Sequence, residues 1–182
     1  KYLGGLREFP RNLKHQLGKQ SRKELIATLT EVYRTDAKLY PGIAALIKTL
    51  LGAPDLVVGV VTRNISNEPI ETLRHLFARH GIDIDEFAFL AHIPLKDEKT
   101  DTFRALRESH AINPARSFVC GDEHKDYFAA VRTGMHPFMV SYGFEDHERL
   151  TDKFDVPEEL ISRTPHALCK RVLHGLGIAE GA

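Results

Sequence analysis

The sequence is poor in cysteine and carries no excess charge of either sign. Its 182 residues include two cysteines, Cys120 and Cys169, which lie far apart in apolar surroundings. We therefore predict buried free thiols in a reducing compartment, rather than a disulfide or a zinc site. Basic and acidic residues number 25 each, so neither nucleic acid nor an anionic membrane is expected as the main partner.

Long apolar runs and metal-binding histidine motifs are also missing. No stretch approaches the ~18 apolar residues that a membrane-spanning helix needs, and residues 1–5 do not have the layout of a signal peptide. The ten histidines form neither an HExxH motif nor a Cys/His ligand pair. The expectation is a soluble cytoplasmic protein that recognises its substrate locally.

What the sequence does contain is an alternation of strand and helix patterns. Ser21 to Glu24 matches a capping box at the start of an amphipathic helix. The valine-rich run 56–62 is typical of a strand buried on both faces. Helices are predicted at about 21–34, 43–50, 69–80, 102–110, 125–133 and 165–176, and further strands at 87–91, 117–120, 137–141 and 160–161. This alternation predicts a three-layer α/β domain around a mostly parallel sheet, and the polar segment 145–155 is predicted to be a surface loop.

The most informative stretch runs from Phe118 to Asp126. An apolar strand pattern ends there in Gly121-Asp122, a second aspartate follows at Asp126, and helix-forming residues begin at once. Ligands of open parallel sheets bind outside the carboxyl ends of the strands. Two close carboxylates at that place suit Mg²⁺, which takes one or two protein carboxylates and completes its shell with water and phosphate. The alternative is an ordinary helix cap or turn.

Two further polar residues follow predicted strands at the same edge. Thr62 ends the valine strand, and Lys99 lies at the entry to the next helix. A hydroxyl, a cation and a metal-binding carboxylate pair in one crevice would together stabilise a phosphoryl group during its transfer. The alternatives are that Thr62 simply ends a strand and that Lys99 belongs to a solvated charge run, in which Lys96 is a rival for any role.

In order and spacing these residues resemble the motifs of the haloacid dehalogenase superfamily. The segment 60–64 looks like the second motif, 99–102 like the third, which favours Lys99 over Lys96, and 121–126 like the fourth. The segments 40–42 and 142–144, with Gly134-Met135, resemble the phosphoglycolate-phosphatase-like branch. The resemblance covers about residues 40–145.

The resemblance implies a Rossmann-like core and Mg²⁺-dependent hydrolysis of a small phosphate monoester through an aspartyl-phosphate intermediate. Thr62 and Lys99 would be catalytic, Arg63 and Asn64 would join them in binding the substrate, and Asp122 and Asp126 would hold the metal. The expected partner is a small phosphorylated metabolite.

The first motif of the family, Asp-x-Asp, is not found in the sequence. The aspartates before the second motif are Asp36 and Asp55, and neither ends a predicted strand. The nucleophile is therefore expected upstream of Lys1, on a strand that fills the centre of the sheet. Residues 1–38 would be part of a small helical cap and residues 39–182 a core that lacks its first strand, which is not competent for catalysis by itself.

Three other interpretations are considered. A catalytically inactive binding or regulatory module with the same fold would explain the missing aspartates. A dehalogenase would attack carbon on the same scaffold, but that reaction needs no cation and leaves the aspartate pair unexplained. A receiver domain has its acidic pair early and its lysine late in the chain, the reverse of the order Thr62, Lys99, Asp122.

Overall fold

A computed structural model describes residues 21–179. The chain divides into two compact units, with the boundary in sequence between Asp97 and Glu98. Within the described residues, no helix combines the length and the apolar character that crossing a bilayer requires.

Over residues 21–97, the first unit contains three α-helices and a pair of parallel strands. These are α1 (Arg22–Thr35), α2 (Ile43–Leu51), β1 (Gly59–Thr62), α3 (Pro69–Ala78) and β2 (Phe89–His92). The predicted capping box is present, since the Ser21 N–H donates to Glu24 Oε2 at 2.7 Å and the Glu24 N–H donates to Ser21 Oγ at 3.4 Å. The first helix therefore begins where the sequence predicts it.

β1 and β2 pair in register from Gly59 opposite Phe89 to Thr62 opposite His92. The predicted strand over 56–62 is wrong in its extent and its burial. The assigned strand begins at Gly59, none of its residues is fully buried, and the Val57 side chain is 63% exposed. Among the described residues β1 pairs with β2 alone, so the valine run lacks the covering on both faces that its composition predicts.

The core of the first unit forms where α2 and α3 pack on the sheet. Phe77, Ile82, Ile84 and Phe87 are buried together, and the rings of Phe77 and Phe87 lie 5.1 Å apart. Burying side chains of this size stabilises the fold by about 1.5–3 kcal/mol each. This cluster fixes α3 relative to β2.

α1 is attached to the loop that precedes α3. The Asn67 N–H donates to Thr30 Oγ1 at 2.7 Å, and the Arg34 guanidinium pairs with Glu68 at 3.1 Å. Both bonds lie just beyond the carboxyl end of β1. The predicted division into a cap segment (1–38) and a core (39–182) stays a prediction, and residues 1–20 of that segment lie outside the described residues.

Over residues 98–179, the second unit contains three α-helices and a parallel sheet in the order β3-β4-β5. Its elements are α4 (Lys99–Ser109), β3 (Phe118–Gly121), α5 (His124–Arg132), β4 (His136–Val140), β5 (Ile161–Ser162) and α6 (Pro165–Gly175). Gly121 lies opposite Met139, and Met139 lies opposite Ile161. Every strand pair in residues 21–179 is parallel, which confirms the predicted α/β class.

The core of the second unit lies around β4. Met139 and Leu150 are fully buried with Val156 and Ile161. The predicted surface loop 145–155 is therefore wrong in part, because Leu150 within it is a core residue on a short π-helical turn, Arg149–Lys153. Leu150 anchors this segment to the core, while its charged residues at positions 146, 148, 152, 153 and 155 are exposed.

The two cysteines are free thiols, as predicted. The prediction that both are buried is wrong, because Cys120 is exposed and Cys169 is half-buried. β3 is an edge strand of the described sheet, and Cys120 is accessible at that edge, although desolvation by the surrounding residues raises the pKa of its thiol to about 12.

Candidate functional site

The carboxyl end of β1 presents Thr62, Arg63 and Asn64 in a turn fixed by its own hydrogen bonds. The Asn64 N–H donates to Thr62 Oγ1 at 3.3 Å, and the Ser66 N–H donates to Asn64 Oδ1 at 2.8 Å. His92 Nε2 lies 3.0 Å from the Asn64 carbonyl oxygen. The Thr62 hydroxyl oxygen accepts one hydrogen bond here, and its O–H group can still donate one to a ligand.

Arg63 follows Thr62 and is only partly satisfied. One guanidinium nitrogen donates to the Asp97 carbonyl oxygen at 2.7 Å. Its Nε is buried and has no hydrogen-bond partner among the described residues. A buried donor without an acceptor costs about 1–3 kcal/mol, so this side chain is suited to gain an anionic acceptor.

Lys99 is the first residue of α4, and its ammonium group is held between two carboxylates. Nζ lies 2.7 Å from Asp126 Oδ1 and 2.9 Å from Glu123 Oε2, and the residue is 8% exposed. Burial alone would lower the pKa of Lys99, but the charges and hydrogen bonds of Asp126 and Glu123 outweigh it and raise the pKa. The lysine is therefore a fixed, charged cation.

Lys96, the rival in the same charge run, is exposed and forms no ion pair with the described residues. The helix begins at Lys99, earlier than the predicted start near residue 102. This places Lys99 on the first turn of α4 rather than in a loop. The two lysines therefore differ in both burial and ion pairing, since Lys99 is buried between two carboxylates and Lys96 is exposed.

Asp126 connects Lys99 to the end of β3. Its second oxygen, Oδ2, accepts the Glu123 N–H at 3.2 Å in a capping box at the start of α5. Both carboxylate oxygens therefore have partners in the described residues. Asp126 is placed to orient Lys99, and binding a metal directly would compete with those bonds.

Asp122 lies in a cradle formed by the segment after β4. Its Oδ2 accepts the Phe144 N–H at 2.8 Å, and its carbonyl oxygen accepts the Glu145 N–H at 3.1 Å. A Cβ atom on Gly143 would lie 2.3 Å from Asp122 Oδ2, so only glycine allows this approach. The other oxygen, Oδ1, makes no hydrogen bond to the described residues and can still bind a ligand.

The free carboxylate oxygen of Asp122 suits a hard cation that takes few of its ligands from the protein. Within residues 21–179, no group of three or more His, Cys, Asp or Glu side chains is arranged to hold a metal ion. Mg²⁺ does not need such a cage, since it is commonly held by one or two carboxylates together with water and substrate phosphate. Asp122 provides one available carboxylate oxygen of this kind.

Glu145, which the sequence analysis places in a surface loop, is in fact buried, with 1% of its surface exposed. Its carboxylate accepts the His124 N–H at 2.6 Å and the Arg149 Nε–H at 2.8 Å, and it lies 3.0 Å from His124 Nδ1. Burial alone would raise the pKa of Glu145, but the bonds from Arg149 and His124 outweigh it and lower the pKa. The spacing of Glu145 and Arg149, one helical turn apart, was the available signal.

The structure thus brings Lys99, Glu123 and Asp126 into direct contact within the second unit. Burial raises the pKa of Asp126, and the charge of nearby Asp122 adds to that rise. Thr62, Arg63 and Asn64 form their own turn in the first unit. Each group has the composition that phosphate chemistry requires, with donors in one and a fixed cation beside carboxylates in the other.

The chain is similar in sequence to two proteins named phosphoglycolate phosphatase. A phosphoglycolate phosphatase of Vibrio vulnificus strain YJ016 is 27% identical over 116 residues, which cover 62% of this chain and 48% of that protein. The phosphoglycolate phosphatase of strain CMCP6 is 27% identical over 113 residues, covering 60% and 47%. The chain therefore spans about half the length of these relatives.

The fold is similar to that of a solved structure described as a predicted phosphatase from Clostridium acetobutylicum. The TM-score is 0.55 at 23% identity, with 74% of this chain and 60% of the other covered. This likeness supports the α/β fold with its parallel strands. The sequence model of the haloacid dehalogenase-like hydrolases matches residues 5–140, and the chain therefore belongs to that family.

Proposed function

We propose that this chain is part of a phosphatase that hydrolyses a small phosphate monoester through an aspartyl-phosphate intermediate. The observation that carries the proposal is the placement of Lys99 between Asp126 and Glu123 at the end of β3. A lysine that remains charged and fixed while buried is the electrostatic element that phosphoryl transfer needs. The relatives named phosphoglycolate phosphatase support this activity.

The chain provides residues for every proposed role except that of the nucleophile. We assign the Thr62 hydroxyl and the Lys99 ammonium to the phosphoryl oxygens, and Arg63 and Asn64 to the remainder of the substrate. The unpartnered Nε–H of Arg63 supports that role. Asp122 would hold Mg²⁺ through its open oxygen, and Asp126 would join it as a metal ligand by exchanging one of its present bonds, to Lys99 or to the Glu123 N–H. When bound, Mg²⁺ would neutralise negative charge on the phosphoryl group.

We further propose that the nucleophile lies upstream of Lys1, on a strand ending in Asp-x-Asp. In the described residues β1 pairs only with β2 and β3 only with β4, so each strand has an edge at which another strand can pair. The nucleophilic aspartate would attack phosphorus, expelling the alcohol, and water would then cleave the aspartyl-phosphate to release phosphate. The 182-residue chain alone is expected to lack turnover.

The two relatives suggest 2-phosphoglycolate as the first substrate to test, with p-nitrophenyl phosphate as a generic ester. The full-length protein is expected to hydrolyse both in the presence of Mg²⁺ and to lose that activity in excess chelator. Adding Mg²⁺ back should restore it. Equal rates with and without chelator would contradict the metal assignment, and no hydrolysis of any phosphate ester would overturn the proposed function.

A further inference from the structure

The second unit contains a cavity that the proposed chemistry does not use. Its volume is about 310 Å³, at the lower end of the range for sites that bind small molecules. One wall is a face of α5, formed by His124, Phe128 and Arg132 with Lys125 beside them, and Phe154 lies on another side. Glu98 and Thr100, at the start of α4, complete the lining.

The aromatic wall of the cavity is held rigidly. The imidazole ring of His124 stacks on the Phe154 ring with centroids 3.6 Å apart and planes 6° apart. The buried carboxylate of Glu145 binds both the N–H and the Nδ1 of His124. The stacking on Phe154 and the contact of Nδ1 with Glu145 position the imidazole ring, and the bond to the N–H positions the backbone of His124. The wall therefore does not depend on a ligand for its shape.

The charged groups of the cavity are mostly positive and lack ionic partners. Neither Lys125 nor Arg132 forms an ion pair with the described residues, and Glu98 is the single carboxylate in the lining. The Arg132 guanidinium lies 5.5 Å from the centre of the Phe128 ring. This cation–π contact orients the guanidinium while leaving its N–H donors available.

We propose that this cavity binds a small organic anion. Its phosphate or carboxylate group contacts Lys125 and Arg132, and its apolar part packs on Phe128 and Phe154. The lining contains two cations and the single carboxylate Glu98, so it favours an anionic ligand. Because the lining also contains aromatic rings, an anion with an apolar part fits it better than a bare inorganic ion does. This site goes beyond the proposed hydrolysis, because it requires neither Thr62 nor the open oxygen of Asp122.

Phenylphosphonate is a suitable probe, since it carries an anionic group and an apolar ring but no ester bond to hydrolyse. In the full-length protein, its addition is expected to shift the ring-proton NMR signals of Phe128 and Phe154 saturably. Methylphosphonate, which has no ring, should bind more weakly. Lys125→Gln and Arg132→Gln should each weaken phenylphosphonate binding by about fivefold, the effect of one solvent-accessible ion pair.

Arg116→Gln is the matched control, because Arg116 is another exposed arginine of the second unit that does not line the cavity. It should leave the dissociation constant unchanged. Thr62→Val should reduce phosphatase turnover but preserve the ring-proton shifts, which separates this site from the proposed function. Unmoved Phe128 and Phe154 signals, or equal losses in Arg116→Gln and Arg132→Gln, would overturn the proposal.

Discussion

A Cβ atom on Gly121 would lie 2.3 Å from the Cβ atom of Asp126. Gly121 ends β3, and Asp126 lies on the first turn of α5, so the strand and the helix approach each other at this point closely enough that only glycine fits. Since Asp126 holds the Lys99 ammonium, the glycine indirectly sets where that charge lies.

Gly121→Ala is therefore expected to displace Asp126 and to destabilise the protein by about 1–3 kcal/mol, as forced overpacking does. Chemical denaturation followed by circular dichroism would measure the change in unfolding free energy. Ser109→Ala is the control in the same unit, because Ser109 is exposed and its truncation should stay within about 0.5 kcal/mol. Equal stabilities for the wild type and Gly121→Ala would show that the helix can shift without cost.

Lys99→Met is expected to reduce both activity and stability. Removing the ammonium leaves the buried carboxylates of Asp126 and Glu123 without a counter-charge, and breaking such a group costs on the order of 3 kcal/mol. We expect kcat/KM to fall by at least about 100-fold, the effect of losing one electrostatic contact to the transition state. Phosphate release assays and thermal unfolding measure the two effects.

Lys96→Met provides the comparison, since Lys96 lies in the same charge run but is exposed. Both its kcat/KM and its melting temperature should match the wild type. A loss of activity in Lys96→Met with little change in Lys99→Met would transfer the proposed role to Lys96.

Much of this arrangement could be predicted because local patterns and tertiary structure agree. The capping box at Ser21 and Glu24 forms as written in the sequence, and β4 runs from His136 to Val140 where an apolar run predicts a strand. Hydrophobic periodicity and helix-capping motifs depend on residues within the same turn or strand. That information is present in the sequence.

The burial of charged residues could not be predicted in this way. Lys99 and Glu145 both lie in polar segments that resemble solvated surface, yet their side chains are enclosed by partners distant in the chain. Pairings between Lys99 and Asp126, or Glu145 and His124, depend on how helices and loops pack. A single sequence gives the residue types but not the contacts that make a buried charge stable.

Thr62→Val tests the hydroxyl at the end of β1. Valine keeps the shape of threonine but cannot donate to a phosphoryl oxygen, so kcat/KM for p-nitrophenyl phosphate should fall by about 100-fold. Thr62→Ser keeps the hydroxyl and should retain most of the activity. Thr35→Val, at an exposed threonine of α1, controls for the loss of a hydroxyl elsewhere. Comparable kcat/KM values for Thr62→Val and Thr62→Ser would remove the hydroxyl from the mechanism.

Glu145 should make the stability of the protein depend on pH in the acidic range. Its pKa is lowered in the folded state by hydrogen bonds from Arg149 and His124. A carboxyl group whose folded pKa lies below its unfolded value stabilises the fold fully above the unfolded pKa, ordinarily about 4.3 for Glu. That contribution is lost as the pH falls through the folded pKa, because the proton then binds both states.

Glu145→Gln is therefore expected to lower stability by about 2 kcal/mol at neutral pH, the range for hydrogen bonds to a charged group. The difference from the wild type should shrink as the pH is lowered below the unfolded pKa, since the wild-type carboxyl is then neutral as well. Melting temperatures measured from pH 7 down to pH 3 would show this convergence. Glu159→Gln, at an exposed glutamate of the same unit, should match the wild type throughout. A constant gap between Glu145→Gln and the wild type across the whole series would mean that shape, not charge, is what the buried carboxylate contributes.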